Sequence, residues 1–76
     1  MAYHFQPLKV QLGENVRSLR LQLGFSQEKL ADLANLDRTY VSQIERATGN
    51  PSLEVIAKIA SALGKSPGEM LDKRFR

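Results

Sequence analysis

Apolar residues recur with a helical period along most of the chain. Leu8, Leu12, Val16, Leu19 and Leu23 follow one another at spacings of four, four, three and four, which puts them on one face of a helix. Gly24 stands where a left-handed C′ residue would end it, so the pattern predicts a first helix over 8–23. Leu30, Leu33 and Ala34 form the stripe of a short second helix over 27–34. Ser26 is its N-cap, and Glu28 lies in the first turn, where the macrodipole favours a carboxylate. Asn35 marks an abrupt turn, because asparagine is among the few non-glycine residues that enter the left-handed region cheaply. Asp37 then caps a third helix over 38–46, with Val41 and Ile44 pointing inward and Tyr40 on the same side.

Thr48, Gly49, Asn50 and Pro51 read as a loop. Ser52 caps a fourth helix whose stripe is Leu53, Ile56, Ala60 and Leu63, ending at Gly64, with Glu54 and Lys58 as an exposed i,i+4 pair. Ser66 and Glu69 make a capping box with Pro67 at the first helical position. A last helix therefore starts at 67 and carries Met70 and Leu71. No window alternates apolar and polar residues with period two between hairpin turns. The expected architecture is all-α, five helices in one domain over 8–72. An N-terminal arm, 1–7, precedes it, its order left open by the sequence, and a basic tail, 73–76, follows.

Seventy-six residues are too few to wall off a deep catalytic cleft. There is no cysteine, so disulfides, thiolate nucleophiles and cysteine-based metal sites are excluded. His4 is the only histidine, so neither a metal cluster nor a Ser-His-Asp arrangement can be assembled. Gly64-Lys65-Ser66 imitates the end of a phosphate-binding loop, but that motif needs a glycine where Ile59 stands. No catalytic residue, metal, cofactor or small-molecule ligand is expected. The formal charge of +3 and a sequence pI near 9.6 point instead to a nucleic-acid partner. No basic segment leads into a continuous apolar stretch, and Lys58 interrupts the best later candidate for a span. A cytoplasmic protein without membrane association is the expectation.

The predicted second and third helices are each too short to bury much alone. Residues 27–46 must pack as an angled pair over the first and fourth helices, a helix-turn-helix. Within QEKLADLANLDRTYVSQIER, Ala31 is small where the two helices cross, Asn35 makes the turn, and Leu30, Leu36, Val41 and Ile44 supply the shared core. The stretch GFSQEKLADLANLDRTYVSQIERATGNPSLEVIAKIASALG resembles the XRE, or phage-repressor-like, family of helix-turn-helix DNA-binding proteins, and the resemblance covers about 8–72. LDRTYVSQIER followed by NPSL is also similar to the small controller proteins of restriction–modification systems. Members often have glycine where Asn35 and Ala47 stand; Asn35 preserves the turn chemistry, whereas Ala47 leaves the exit from the third helix open.

The resemblance implies that the third helix lies in the major groove with its N-terminal residues at base edges, while the second crosses the backbone. Arg38 offers a planar fork that fits guanine O6 and N7, Gln43 can pair bidentately with adenine, and Thr39 offers a hydroxyl or a methyl. With Ser42 on the same face, these four are the expected base readers. Ser26 and Gln27, at the open amides of the second helix, are expected at a phosphate. Tyr40, Arg46, Asn50 and Ser52 are further phosphate candidates, although capping alone accounts for Ser26 and Ser52. The family commonly pairs an arginine of the first helix with a glutamate ending the third, which makes Arg20 and Glu45 a structural ion pair.

These readings describe a non-enzymatic, sequence-specific regulator of transcription that binds double-stranded DNA, expected to act as a homodimer on a pseudo-palindromic operator. Met70, Leu71 and Phe75 are the apolar residues expected at the dimer interface; the alternative is that Met70 and Leu71 close the core of a single chain. Two rival functions stay open. One is the antitoxin of a toxin–antitoxin pair. The other is a protein adaptor whose helix-turn-helix does not bind DNA, against which Arg38, Gln43 and Arg46 argue.

Overall fold

The computed structural model describes residues 5–72. The helices are α1 (Phe5–Gln22), α2 (Gln27–Ala34), α3 (Arg38–Glu45), α4 (Leu53–Ala62) and α5 (Pro67–Met70), with no strand among the described residues. α1 starts three residues before the expected position, so Phe5, Gln6 and Pro7 belong to it and not to an arm. Pro7 is tolerated because it lies in the first turn, where an amide has no intrahelical acceptor to lose.

Each later helix begins at a side-chain cap. Ser26 Oγ accepts from the Lys29 amide at 2.9 Å, Asp37 Oδ1 from Thr39 at 3.1 Å and Ser52 Oγ from Val55 at 3.1 Å. At α5 the box is reciprocal: Ser66 Oγ accepts from the Glu69 amide and Glu69 Oε1 from the Ser66 amide. These bonds satisfy donors that a helix start otherwise leaves open. Asn35 adopts φ 58° and ψ 47°, the left-handed turn expected of it. Ala47 also has positive φ, at 59°. This settles the exit from α3: Thr48 N–H donates back to the Gln43 carbonyl at 2.9 Å, and an alanine holds a conformation that glycine takes more cheaply.

The core joins Leu12, Val16 and Leu19 of α1 to Leu30, Ala31 and Ala34 of α2, Val41 and Ile44 of α3, Ile56, Ile59, Ala60 and Leu63 around α4, and Met70 of α5. α3 is held between α1 and α2, α4 packs on α2 and α5, and α5 closes against α1. Three residues of the expected stripes lie outside this core: Leu23, Leu33 and Leu53 are 49%, 48% and 79% exposed. An eight-residue helix buries a narrow stripe, which Leu30, Ala31 and Ala34 already fill in α2. Leu53 opens α4 one turn before Ile56, the first α4 residue to be buried. Tyr40, expected on the inner side of α3, is also largely exposed.

Met70 is fully buried within the single chain, which corrects its expected place at a dimer interface: the small domain needs this side chain to close its own core. Leu71 is half-buried against the same cluster, and Phe75 lies outside the described residues. Two residues of α1 that the apolar pattern passes over fix the packing. A Cβ on Gly13 would collide with the Ile44 carbonyl oxygen and lie 3.1 Å from that of Glu45, so glycine is what allows α1 to approach the end of α3. Asn15 is buried, and its Nδ2 donates to the carbonyls of Met70 at 2.8 Å and Asp72 at 3.1 Å. Its Oδ1 accepts from Gln11 Nε2 at 3.2 Å, so both ends of the buried amide are satisfied.

Candidate nucleic-acid interface

α3 has two sides of opposite chemistry. Val41 and Ile44 are buried, while Arg38, Thr39 and Arg46 are exposed and Ser42 and Gln43 half-exposed. The five polar residues expected to face DNA therefore share one accessible side of one helix, starting at its N-terminus. Asp37 caps that end, and the Thr39 amide bonded to its carboxylate is the main reason its pKa lies below the ordinary aspartate value. At the other end, Arg46 Nε donates to the Ser42 carbonyl at 3.3 Å.

Beside this helix lies a depression of about 260 Å³ lined by Tyr40, Gln43, Thr48, Asn50 and Ser52, with Ile44, Pro51 and Val55 as apolar wall. It gathers three of the phosphate candidates, Tyr40, Asn50 and Ser52, next to one base-reading candidate, Gln43. Its polar groups are uncharged, so they offer hydrogen bonds, whereas Arg38 and Arg46 supply charge. Thr48 joins this set without having been singled out in the sequence; its Oγ1 donates to the Gln43 carbonyl at 3.2 Å. The hydroxyls of Ser26 and Ser52 are engaged as helix caps.

Behind the reading face stands a buried ion pair. Arg20 Nε donates to Glu45 Oε2 at 2.6 Å and Arg20 Nη2 to Glu45 Oε1 at 3.0 Å, with the two side chains 9% and 3% exposed. Arg20 Nη1 donates to the Phe25 carbonyl at 2.9 Å. The hydrogen bond from Glu45 raises the Arg20 pKa against the opposing cost of burial, and removing either partner would leave the other charge uncompensated. Gln27, expected at a phosphate, is engaged within the protein instead. Its Nε2 donates to Glu45 Oε1 at 3.2 Å, and its Oε1 accepts from Arg38 Nη1 at 3.3 Å.

A helix-turn-helix family model matches residues 16–70, which takes in α2, the Asn35 turn and the whole of α3. The chain belongs to this helix-turn-helix family. Among similar proteins, the control protein C.BamHI of Bacillus amyloliquefaciens is 48% identical over 66 residues, covering 86% of this chain and 82% of its own. The crystal structure of a hypothetical transcription factor from Neisseria superposes with a TM-score of 0.84 at 42% identity, covering 95% of this chain and 83% of that one. The restriction-modification controller protein C.AhdI of Aeromonas hydrophila gives a TM-score of 0.77 at 47% identity, covering 82% of this chain and 94% of that one.

As a helix-turn-helix family member the chain is a DNA-binding regulator of transcription and not an enzyme. Double-stranded DNA is its partner, and the fold is the XRE-type arrangement that the sequence resembles. Among the described residues no helix is long and apolar enough to cross a membrane, and no group of acidic or imidazole side chains is placed to hold a metal ion. The helix-turn-helix supports absent from the sequence reading are Gly13 and Asn15. Asn15 stands three residues from Leu12 and four from Leu19, a spacing that puts it on the buried face and marks it as a polar group in need of partners.

Proposed function

We propose that this protein is the controller of a restriction–modification system, binding as a homodimer to a pseudo-palindromic operator and reading its sequence with Arg38, Thr39, Ser42 and Gln43. The observation that carries the reading is the outer face of α3: polar side chains matched to base edges project from a helix fixed by its buried Val41 and Ile44. Two control proteins among the relatives, C.BamHI at 48% identity and C.SmaI of Serratia marcescens at 39%, favour the controller role. Arg46 supplies charge to the phosphate backbone, and Tyr40, Asn50 and Ser52 supply hydrogen bonds to it from their shared depression. The open amides at the start of α2, next to Ser26, face a further phosphate. Two copies would present their α3 helices to half-sites about 34–36 Å apart. Leu71 and the C-terminal part of α4 form the surface between them, with Met70 behind in the core.

The test is selection of bound duplexes from a random DNA library with the purified chain, with Arg38→Ala and Gln43→Ala alongside. A two-fold symmetric motif is expected, and Arg38→Ala should relax one base pair per half-site by about 1–3 kcal/mol. Equal weakening on chosen and random duplexes would assign Arg38 to phosphate. Enrichment of no sequence would favour the adaptor reading, and co-purification of a second, toxic chain would favour the antitoxin.

A further inference from the structure

We infer that Gln27 sets base preference at second hand, as a positioning residue that holds the Arg38 guanidinium with one edge free for a base. The inference rests on the reading that Arg38 faces a base.

An amide side chain has a donor end and an acceptor end, and on a surface either can face a neighbour. The choice is removed for Gln27. Glu45 can only accept, so the Gln27 nitrogen turns to its Oε1 at 3.2 Å. Arg38 can only donate, and the Gln27 oxygen meets its Nη1 at 3.3 Å. Rotating the amide by half a turn would set oxygen against carboxylate and nitrogen against guanidinium, two repulsions in place of two bonds. Glu45 is itself fixed by two bonds from Arg20, and its side chain is nearly buried. The orientation of Gln27 is thus inherited from the buried ion pair and passed to the first residue of the reading helix.

Arg20 shows what such an arrangement yields. Its Nη1 donates to the Phe25 carbonyl, and its Nε and Nη2 edge then meets two oxygens side by side. Arg38 is held in the same way, Nη1 on the carbonyl oxygen of Gln27, which leaves the corresponding Nε and Nη2 edge for a pair of acceptors. Guanine O6 and N7 are such a pair. Held there before binding, Arg38 loses less side-chain freedom on meeting the base than an untethered arginine would.

The test repeats the duplex selection with the full chain carrying Gln27→Met, Arg38→Ala or both, together with a salt series on one fixed duplex and a thermal melt of each variant. Methionine keeps the length and helix propensity of glutamine while removing both ends of the amide; Gln27→Ala is the second variant should Gln27→Met melt early. The expected result is a loss of about two- to tenfold in preference at the pair read by Arg38, the scale set by freeing one long side chain. The rest of the motif should survive, with no added effect on top of Arg38→Ala. Uniform weakening on all duplexes with a shallower salt dependence would make Gln27 a phosphate contact and overturn the inference. An unchanged motif in Gln27→Met and Gln27→Ala, beside an altered one in Arg38→Ala, would overturn it while leaving base reading intact. An unchanged motif in Arg38→Ala would overturn both.

Discussion

Gly13 shows how much can depend on one missing methyl group. By helix propensity alone, alanine in the middle of α1 would be better by about 1 kcal/mol. The Ile44 and Glu45 carbonyls lie where its Cβ would go, and both are backbone atoms, which cannot swing aside as a side chain can. Gly13→Ala should therefore destabilise the domain, by about 1–3 kcal/mol for an overpacked contact, seen as a lower midpoint in urea unfolding. An equal or higher midpoint would mean that α1 and α3 separate without penalty. The contact also bears on function, since those carbonyls end the helix that faces DNA. A displacement of a few tenths of an ångström at Gly13 is handed directly to the Arg20–Glu45 pair and from there to Arg38.

At the scale of the element, α3 is eight residues long and owes its start to Asp37. The Thr39 amide holds the Asp37 carboxyl below its ordinary pKa, so the folded state gives up that proton at lower pH than the unfolded state. The resulting stability is complete above about pH 4 and is lost as pH falls further, through the folded value. Asp37→Ala should lower the melting temperature at neutral pH and flatten part of the decline on acidification, checked by thermal melts from pH 7 to 3. Curves that stay parallel would assign the acid sensitivity elsewhere, with Glu69, whose pKa is lowered by the Ser66 amide, as the next candidate. Caps of this kind are local, which is why the starts of α2 to α5 were legible in the sequence from Ser26, Asp37, Ser52 and Ser66. The Asn35 turn was legible for the same reason. Gly13 and Asn15 were not, because their partners stand about 30 and 55 residues away and exist only once the helices have docked. Leu33 and Leu53 misled because apolar spacing identifies a face without saying how wide a stripe the neighbouring helix covers.

For the whole molecule, the net charge of +3 is modest, and affinity for DNA has to come from where the cations stand. Arg46 is exposed at the far end of the reading helix, placed to meet a phosphate. Arg46→Ala should weaken binding to all duplexes alike and lower the slope of log affinity against log salt by about one, read by titration at several salt concentrations. A change in base preference would transfer Arg46 to the base readers. The fold class and the helix pair facing DNA were readable from composition and pattern. The burial of Met70 was not, because it depends on how much core so small a domain can gather by itself. That closure has a consequence in time. The amide of Asn15 waits for carbonyls 55 and 57 positions later in the chain, so a polypeptide emerging from the ribosome makes its first helix early and anchors it last. The DNA-reading surface is braced by that helix, and it becomes competent only when synthesis has passed Asp72. A message cut short before that codon yields a chain with the reading residues present and their support missing.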